Sequence, residues 1–203
     1  MRQIIVLCFL AICVPSESFG EGIFGLKKGM TLEKIKKLDF GHIKQYEDES
    51  NLFFVEQPKK PQGADYVYFV MIPEMGLMKV RFSWVIEANS YGDELKRKFN
   101  ELESILSKKY GEGEKIDLLK PDAVWDKPRD YMESLENNER ELSWYSIDIP
   151  YPNKAEVEVV VMEAGASRNP ILFLTDRLYE GFVNLDYYFQ GFHDYLEREN
   201  SQF

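Results

Sequence analysis

Tyr66-Val67-Tyr68-Phe69-Val70-Met71-Ile72, the tetrapeptide Pro73-Glu74-Met75-Gly76 and the run from Met78 to Glu87 decide the fold. In the last run Met78, Val80, Phe82, Trp84 and Ile86 alternate with Lys79, Arg81, Ser83, Val85 and Glu87. Side chains of a strand point alternately to its two faces, so this pattern predicts a strand with one buried and one polar face. Tyr66 to Ile72 is apolar throughout, which reads as a strand buried on both sides. The tetrapeptide between them supplies turn chemistry, and the whole reads as an antiparallel hairpin.

On the C-terminal side of the hairpin, Asn89-Ser90 opens the longest helix, where Ser90 and Asp93 approximate a capping box. Leu95, Phe99, Leu102 and Leu106 form its apolar stripe, and Asp93–Arg97 and Glu94–Lys98 are opposite-charge pairs one turn apart. Gly111, just past Tyr110, is its stop. A loop through Pro121 leads to a shorter helix from Pro128 to about Asn138, with Tyr131, Met132 and Leu135 on its apolar side. Strands are expected at Leu142–Ile149, Val157–Met162 and Phe182–Phe189. In the last, Val183, Leu185, Tyr187 and Phe189 oppose Asn184, Asp186, Tyr188 and Gln190. The stretch from Gly165 to Gly181 reads equally as strand or long loop. Phe192, Tyr195 and Leu196 mark a short terminal helix.

On the N-terminal side, Leu52 to Val55 is a candidate strand. Before it, Thr31 as N-cap and Leu32, Ile35 and Leu38 at three-residue spacing predict a short helix with a lysine-rich outer face. Strands and helices do not alternate one for one, so a parallel doubly wound sheet is disfavoured. The fold class is α+β, an antiparallel sheet with helices on one face, arranged as two tandem helix-plus-strands units. One spans residues 21–90 and the other 91–203, or both form one continuous domain.

The first 20 residues read differently from the rest. Arg2 precedes the unbroken apolar run Ile4 to Val14, and Ser18-Phe19-Gly20 places small residues at a cleavage site. Eleven apolar residues are too few to span a bilayer, so the segment reads as a secretory signal peptide cut after Gly20. Cys8 and Cys13 both lie within it, which leaves the mature chain without thiols. Leu10-Ala11-Ile12-Cys13 is the alternative, a lipoprotein box modified at Cys13. The expected address is periplasmic or secreted, with no transmembrane segment in the mature chain.

The whole chain has 203 residues, 44% hydrophobic and 14% aromatic, enough for a packed core. Lys+Arg 25 against Asp+Glu 35 leaves a net charge of −10, which lacks the basic footprint of a nucleic-acid binder.

Gly29-Met30-Thr31-Leu32-Glu33-Lys34-Ile35 resembles the helix start of SmpA/BamE-like envelope proteins, in which such a helix opens an α+β unit on an antiparallel sheet. Asp39-Phe40-Gly41-His42 stands where those proteins carry Gly-x-Pro. Gly25-Leu26, Tyr110-Gly111, Trp125-Asp126, Arg129-Asp130-Tyr131-Met132, Glu139-Arg140 and Trp144 are similar to an exported bacterial protein family of unassigned function. The tandem layout also resembles that of the secreted β-lactamase inhibitory proteins.

Catalytic machinery is sparse. His42 and His193 are the two imidazoles, without zinc-ligand spacing, and neither a nucleophile elbow nor a phosphate-binding glycine loop occurs. No cofactor or metal is expected. Carboxylate-based hydrolysis is the enzymatic alternative, with Asp122, Asp126 and Glu133 as its acids. The favoured expectation is a non-catalytic binding module whose partner is another envelope or exported protein. A secreted inhibitor or effector is a third reading. Trp125, Arg129, Tyr131, Arg140 and Trp144 are residue types enriched at interfaces, and Tyr188 joins them from the polar face of the last strand. The competing reading packs those aromatics into the core and pairs Glu136 with Arg140.

Overall fold

The structure, a computed structural model, describes residues 23–150, 153–155, 157–167 and 179–201. The leader, with Cys8, Cys13 and the cleavage site at Gly20, lies outside the described residues, as does most of the ambiguous Gly165–Gly181 stretch.

The hairpin forms as the alternation requires. β3 (Tyr66–Ile72) and β4 (Gly76–Ala88) pair antiparallel, with Val67 opposite Phe82 and Phe69 opposite Val80 on the buried face. Gly76 closes the turn at a φ of +75°, backed against Gly29 so tightly that a Cβ would sit 2.6 Å from the Gly29 carbonyl oxygen. Only glycine fits there, and the segment around it is stitched on by the Gly29 N–H to the Leu77 carbonyl and the Leu77 N–H to the Met30 carbonyl.

Among the described residues, eight strands form one antiparallel sheet in the order β1-β2-β3-β4-β8-β7-β6-β5. Beside the hairpin lie β1 (Lys44–Gln45) and β2 (Leu52–Glu56). The other half holds β5 (Gly113–Leu119), β6 (Arg140–Ser146), β7 (Val157–Ser167) and β8 (Tyr179–Phe189). Two four-stranded meanders thus join along their last strands, β4 and β8, and each is preceded by a helix: α1 (Leu32–Lys36) and α2 (Asp93–Tyr110). The sheet is continuous across the two units. α2 buries Leu95, Phe99, Leu102, Leu106 and Tyr110, and α3 (Tyr131–Glu136) buries Met132 and Leu135, all in one core with Val80, Phe82, Val183, Leu185 and Tyr187. α4 (Phe192–Asn200) is the exception. Its Phe192 and Tyr195 pack with Ile72, Met78 and Tyr188 in a small second cluster, at one end of the opposite face.

Several local expectations are corrected. The N-cap of α2 is Gly92, not Ser90; upstream of it the Asn89 Oδ1 accepts from the Asp93 N–H, and the Asn89 N–H donates to Glu94. Lys98 pairs with Glu101 at 3.2 Å, not with Glu94. Thr31 occupies the N-cap of α1 but makes no side-chain capping bond; its carbonyl accepts instead. β5 replaces part of the expected loop before Pro121. Its helix-side positions are Lys115 and Asp117, satisfied by Glu103 and Arg140, so the apolar alternation that marks a strand is missing. β3 is buried on one face only, since Tyr66, Tyr68 and Val70 on the other are half-exposed.

The core also sets an alkaline limit. Burial pushes the phenols of Tyr110, Tyr131 and Tyr187 well above their ordinary value. A group with a raised folded pKa contributes stability below its unfolded value that is lost as pH rises. Each should remove about 1.4 kcal/mol per pH unit above about pH 10. Lys79, Lys96 and Lys109, held low by burial, act in the opposite sense, but their contribution is complete by about pH 10.5. Urea midpoints should therefore fall steeply from about pH 10.5 to 12, and Tyr110→Phe with Tyr187→Phe should flatten the fall. Equal slopes in parent and variant would contradict the assignment.

Candidate partner-binding face

The register places two transverse rows on the sheet face away from α1–α3. One runs Phe54, Tyr68, Arg81, Asp186, Val161, Tyr145, Glu114, and its neighbour Glu56, Tyr66, Ser83, Asn184, Glu163, Ser143, Ile116. β4 and β8 form the middle, so residues about a hundred positions apart in sequence become direct neighbours.

At the centre a carboxylate is held by two cations. Arg81 donates through Nε and Nη2 to the two oxygens of Asp186, at 2.7 and 2.6 Å. The Lys79 ammonium lies 2.9 Å from the same carboxylate. Only 3% of the Asp186 side chain is exposed, against 16% for Lys79 and 34% for Arg81. Burial alone would raise the Asp186 pKa, but the hydrogen bonds and charges of Arg81 and Lys79 outweigh it and hold the carboxyl below its ordinary value. Burial lowers the Lys79 ammonium despite its partner. Beside them the Ser83 hydroxyl donates to the Asn184 side-chain oxygen at 2.6 Å.

Tyr188 locks this centre to α4. Its hydroxyl accepts from Lys79 at 3.0 Å and donates to Asp186 at 3.2 Å, and the Lys79 ammonium lies 4.5 Å from the ring centroid. The rings of Phe192 and His193 each lie 5.4 Å away. On the other side of the centre Tyr46, Phe54 and Tyr68 follow one another at 6.1 and 6.2 Å, with Tyr66 6.1 Å from Tyr68. A groove of about 500 Å³ runs between this aromatic shelf and Arg81, Ser83, Val85, Phe182 and Asn184. Tyr46 is 45% exposed and Val85 39%, so apolar surface faces solvent along it.

The residues singled out from sequence do not share one surface. Trp144 is fully buried in the core. Tyr131 is buried, with the Lys96 ammonium 3.6 Å and the Arg140 guanidinium 4.7 Å from its ring centroid. Arg140 pairs with Asp117 at 2.5 Å, where pairing with Glu136 was the expectation, and also donates to Ser134. These three belong to the scaffold that seats α3. Trp125 is half-buried in the loop before α3, its backbone N–H donating to Glu139, and Arg129 is exposed beside Asp130. Tyr188 alone of the six lies on the open face. Of the acids considered for hydrolysis, Asp122 and Asp126 are exposed in a loop, whereas Glu133 is buried and accepts from the Tyr179 hydroxyl. Sequence reading missed Arg81, Asp186, Tyr66 and Tyr68. The polar alternation of β4 and β8 marked their face, but not that the two strands are neighbours.

Among the described residues, no group of three or more His, Cys, Asp or Glu is placed to hold a metal ion, and no helix is long and apolar enough to cross a membrane. No known family, curated protein or solved structure matches the chain at a significant level.

Proposed function

We infer that the chain is an exported, non-catalytic binding module, periplasmic or secreted, that receives another envelope or exported protein on its open sheet face. The observation that carries this reading is the groove beside Arg81 and Asp186. It combines partly exposed aromatic side chains, the residue type that anchors interfaces, with polar groups already fixed by one another. Fixed groups lose little conformational freedom on association, so contact there converts efficiently into affinity. The export half of the reading rests on the leader from Arg2 to Gly20.

Photocrosslinking tests the face. A benzophenone side chain at Tyr68 should give one discrete protein adduct in the envelope, and the same group at the exposed Glu101 of α2 should give none. No adduct from position 68, or the same adducts from both, would contradict it. An intact mass beginning at Met1 for protein recovered from the envelope would remove the export reading.

A further inference from the structure

We propose that the outer edge of β5, unpaired among the described residues, is a self-pairing surface, and that two copies of this chain join there as antiparallel strands into one continuous sheet. The sheet has two edges. β1 is two residues long and offers almost no template, whereas β5 runs for seven residues, roughly 23 Å.

The backbone of β5 is poised for such a bond. β5 pairs with β6 with Leu119 opposite Arg140, and one step further the Lys120 N–H donates to the Glu139 carbonyl at 2.8 Å. Hydrogen-bonded and non-hydrogen-bonded pairs alternate along an antiparallel ladder, so the even positions of β5 bond to β6 and the odd ones point outward. Among the described residues, no backbone hydrogen bond outside the ladders engages 113, 115, 117 or 119. An unpaired row of this length is a ready template for another strand.

The side chains select the partner as a second copy, and they select its register. With Ile116 on the two-fold axis, Lys115 faces Asp117 of the second copy, and Asp117 faces its Lys115. All seven residues then pair, with about eight inter-chain hydrogen bonds through the odd positions. A two-residue shift in either direction puts Lys115 opposite Lys115 or Asp117 opposite Asp117, which is destabilising. A one-residue shift turns the apolar side chains to the wrong face. The charges are already anchored, Lys115 by Glu103 at 2.6 Å and Asp117 by Arg140 at 2.5 Å. Pairing therefore builds an alternating row, Glu103–Lys115–Asp117–Arg140, across the junction. On the open face the two Ile116 side chains meet in a non-hydrogen-bonded pair, where side chains approach most closely, and Leu118, 58% exposed, gains cover.

The net charge of −10 repels at long range, so self-association should be read at about 0.15 M salt, where the screening length is about 8 Å. Sedimentation of the parent chain should show a concentration-dependent dimer. Lys115→Asp and Asp117→Lys should each weaken it about tenfold or more, since each variant sets like charges opposite one another. Mixed in equal amounts, the two should restore a heterodimer. A parent that stays monomeric, or folded variants whose mixture behaves like either alone, would overturn the proposal. A covalent readout is independent of whether those variants fold. With Cys8 and Cys13 changed to Ser, Ile116→Cys should oxidise to a symmetric disulfide dimer and Leu118→Cys, opposite Glu114, should not. Equal cross-linking at both positions would reject the register. This surface is separate from the groove, and either can fail without the other.

Discussion

Asp186→Ala is expected to cost the fold about 3 kcal/mol, because it leaves the Arg81 and Lys79 charges facing each other with nothing between them. That is the low end for breaking a buried pair, and Arg81, with a third of its side chain in water, is the reason. The loss comes from desolvated cations and not from missing contacts, which makes it separable. Replacing all three groups together, by Lys79→Met, Arg81→Met and Asp186→Leu, should recover most of it, since no uncompensated charge then remains. Acid provides a second readout. A carboxyl held below its ordinary value stabilises the fold above about pH 3.9, and that stabilisation is lost as pH falls through the depressed folded value. The parent should therefore lose stability on acidification below about pH 4 more steeply than Asp186→Ala. A triple variant no more stable than the single one, or identical acid limbs, would show that the cluster does not act as a charge-compensated unit.

The same cluster marks the limit of what the sequence discloses. The alternation of β4 is local, so its strand, its buried face and its hairpin with β3 were all legible. The pairing of β4 with β8 joins Arg81 to Asp186 across the whole second unit, and nothing in either segment names the other. Tyr66 and Tyr68 misled for a different reason. Aromatic side chains suit a buried face and an exposed binding face equally, and composition cannot tell an uncovered sheet from a covered one. β5 was hidden because its helix-side positions carry charges whose partners, Glu103 and Arg140, sit on other elements. The interface-like residues between Trp125 and Trp144 divide along the same line. Trp144 and Tyr131 turned out to be where large aromatics most often are, in the core, and the open face drew instead on tyrosines scattered from Tyr46 to Tyr188.

Gly113→Ala is the second large effect. Gly113 opens β5, and a Cβ there would fall inside the indole of Trp144, against Cε2, Cζ2 and Nε1. Trp144 cannot step aside, being 1% exposed and among the largest fully buried side chains. Adding one methyl group should then cost about 3 kcal/mol, at the upper end for overpacking, by pushing β5 away from β6 or forcing the indole off its rotamer. Alanine is otherwise no worse than glycine in a strand, so the penalty belongs to the collision alone. That gives a sharp test by double-mutant cycle. In a Trp144→Leu background the space is free, and Gly113→Ala should cost less than about 1 kcal/mol, a coupling of about 2 kcal/mol. Additive losses would mean that Trp144 does not set the position of β5. The coupling reaches beyond stability, because the strand that Gly113 lets lie flat over Trp144 is the one whose outer edge carries Lys115 and Asp117. Gly113→Ala should therefore weaken dimer formation together with folding, whereas Lys115→Met should weaken the dimer at a cost to the fold of only about 1 kcal/mol, since it removes a partly exposed ion pair without setting a second carboxylate beside Glu103.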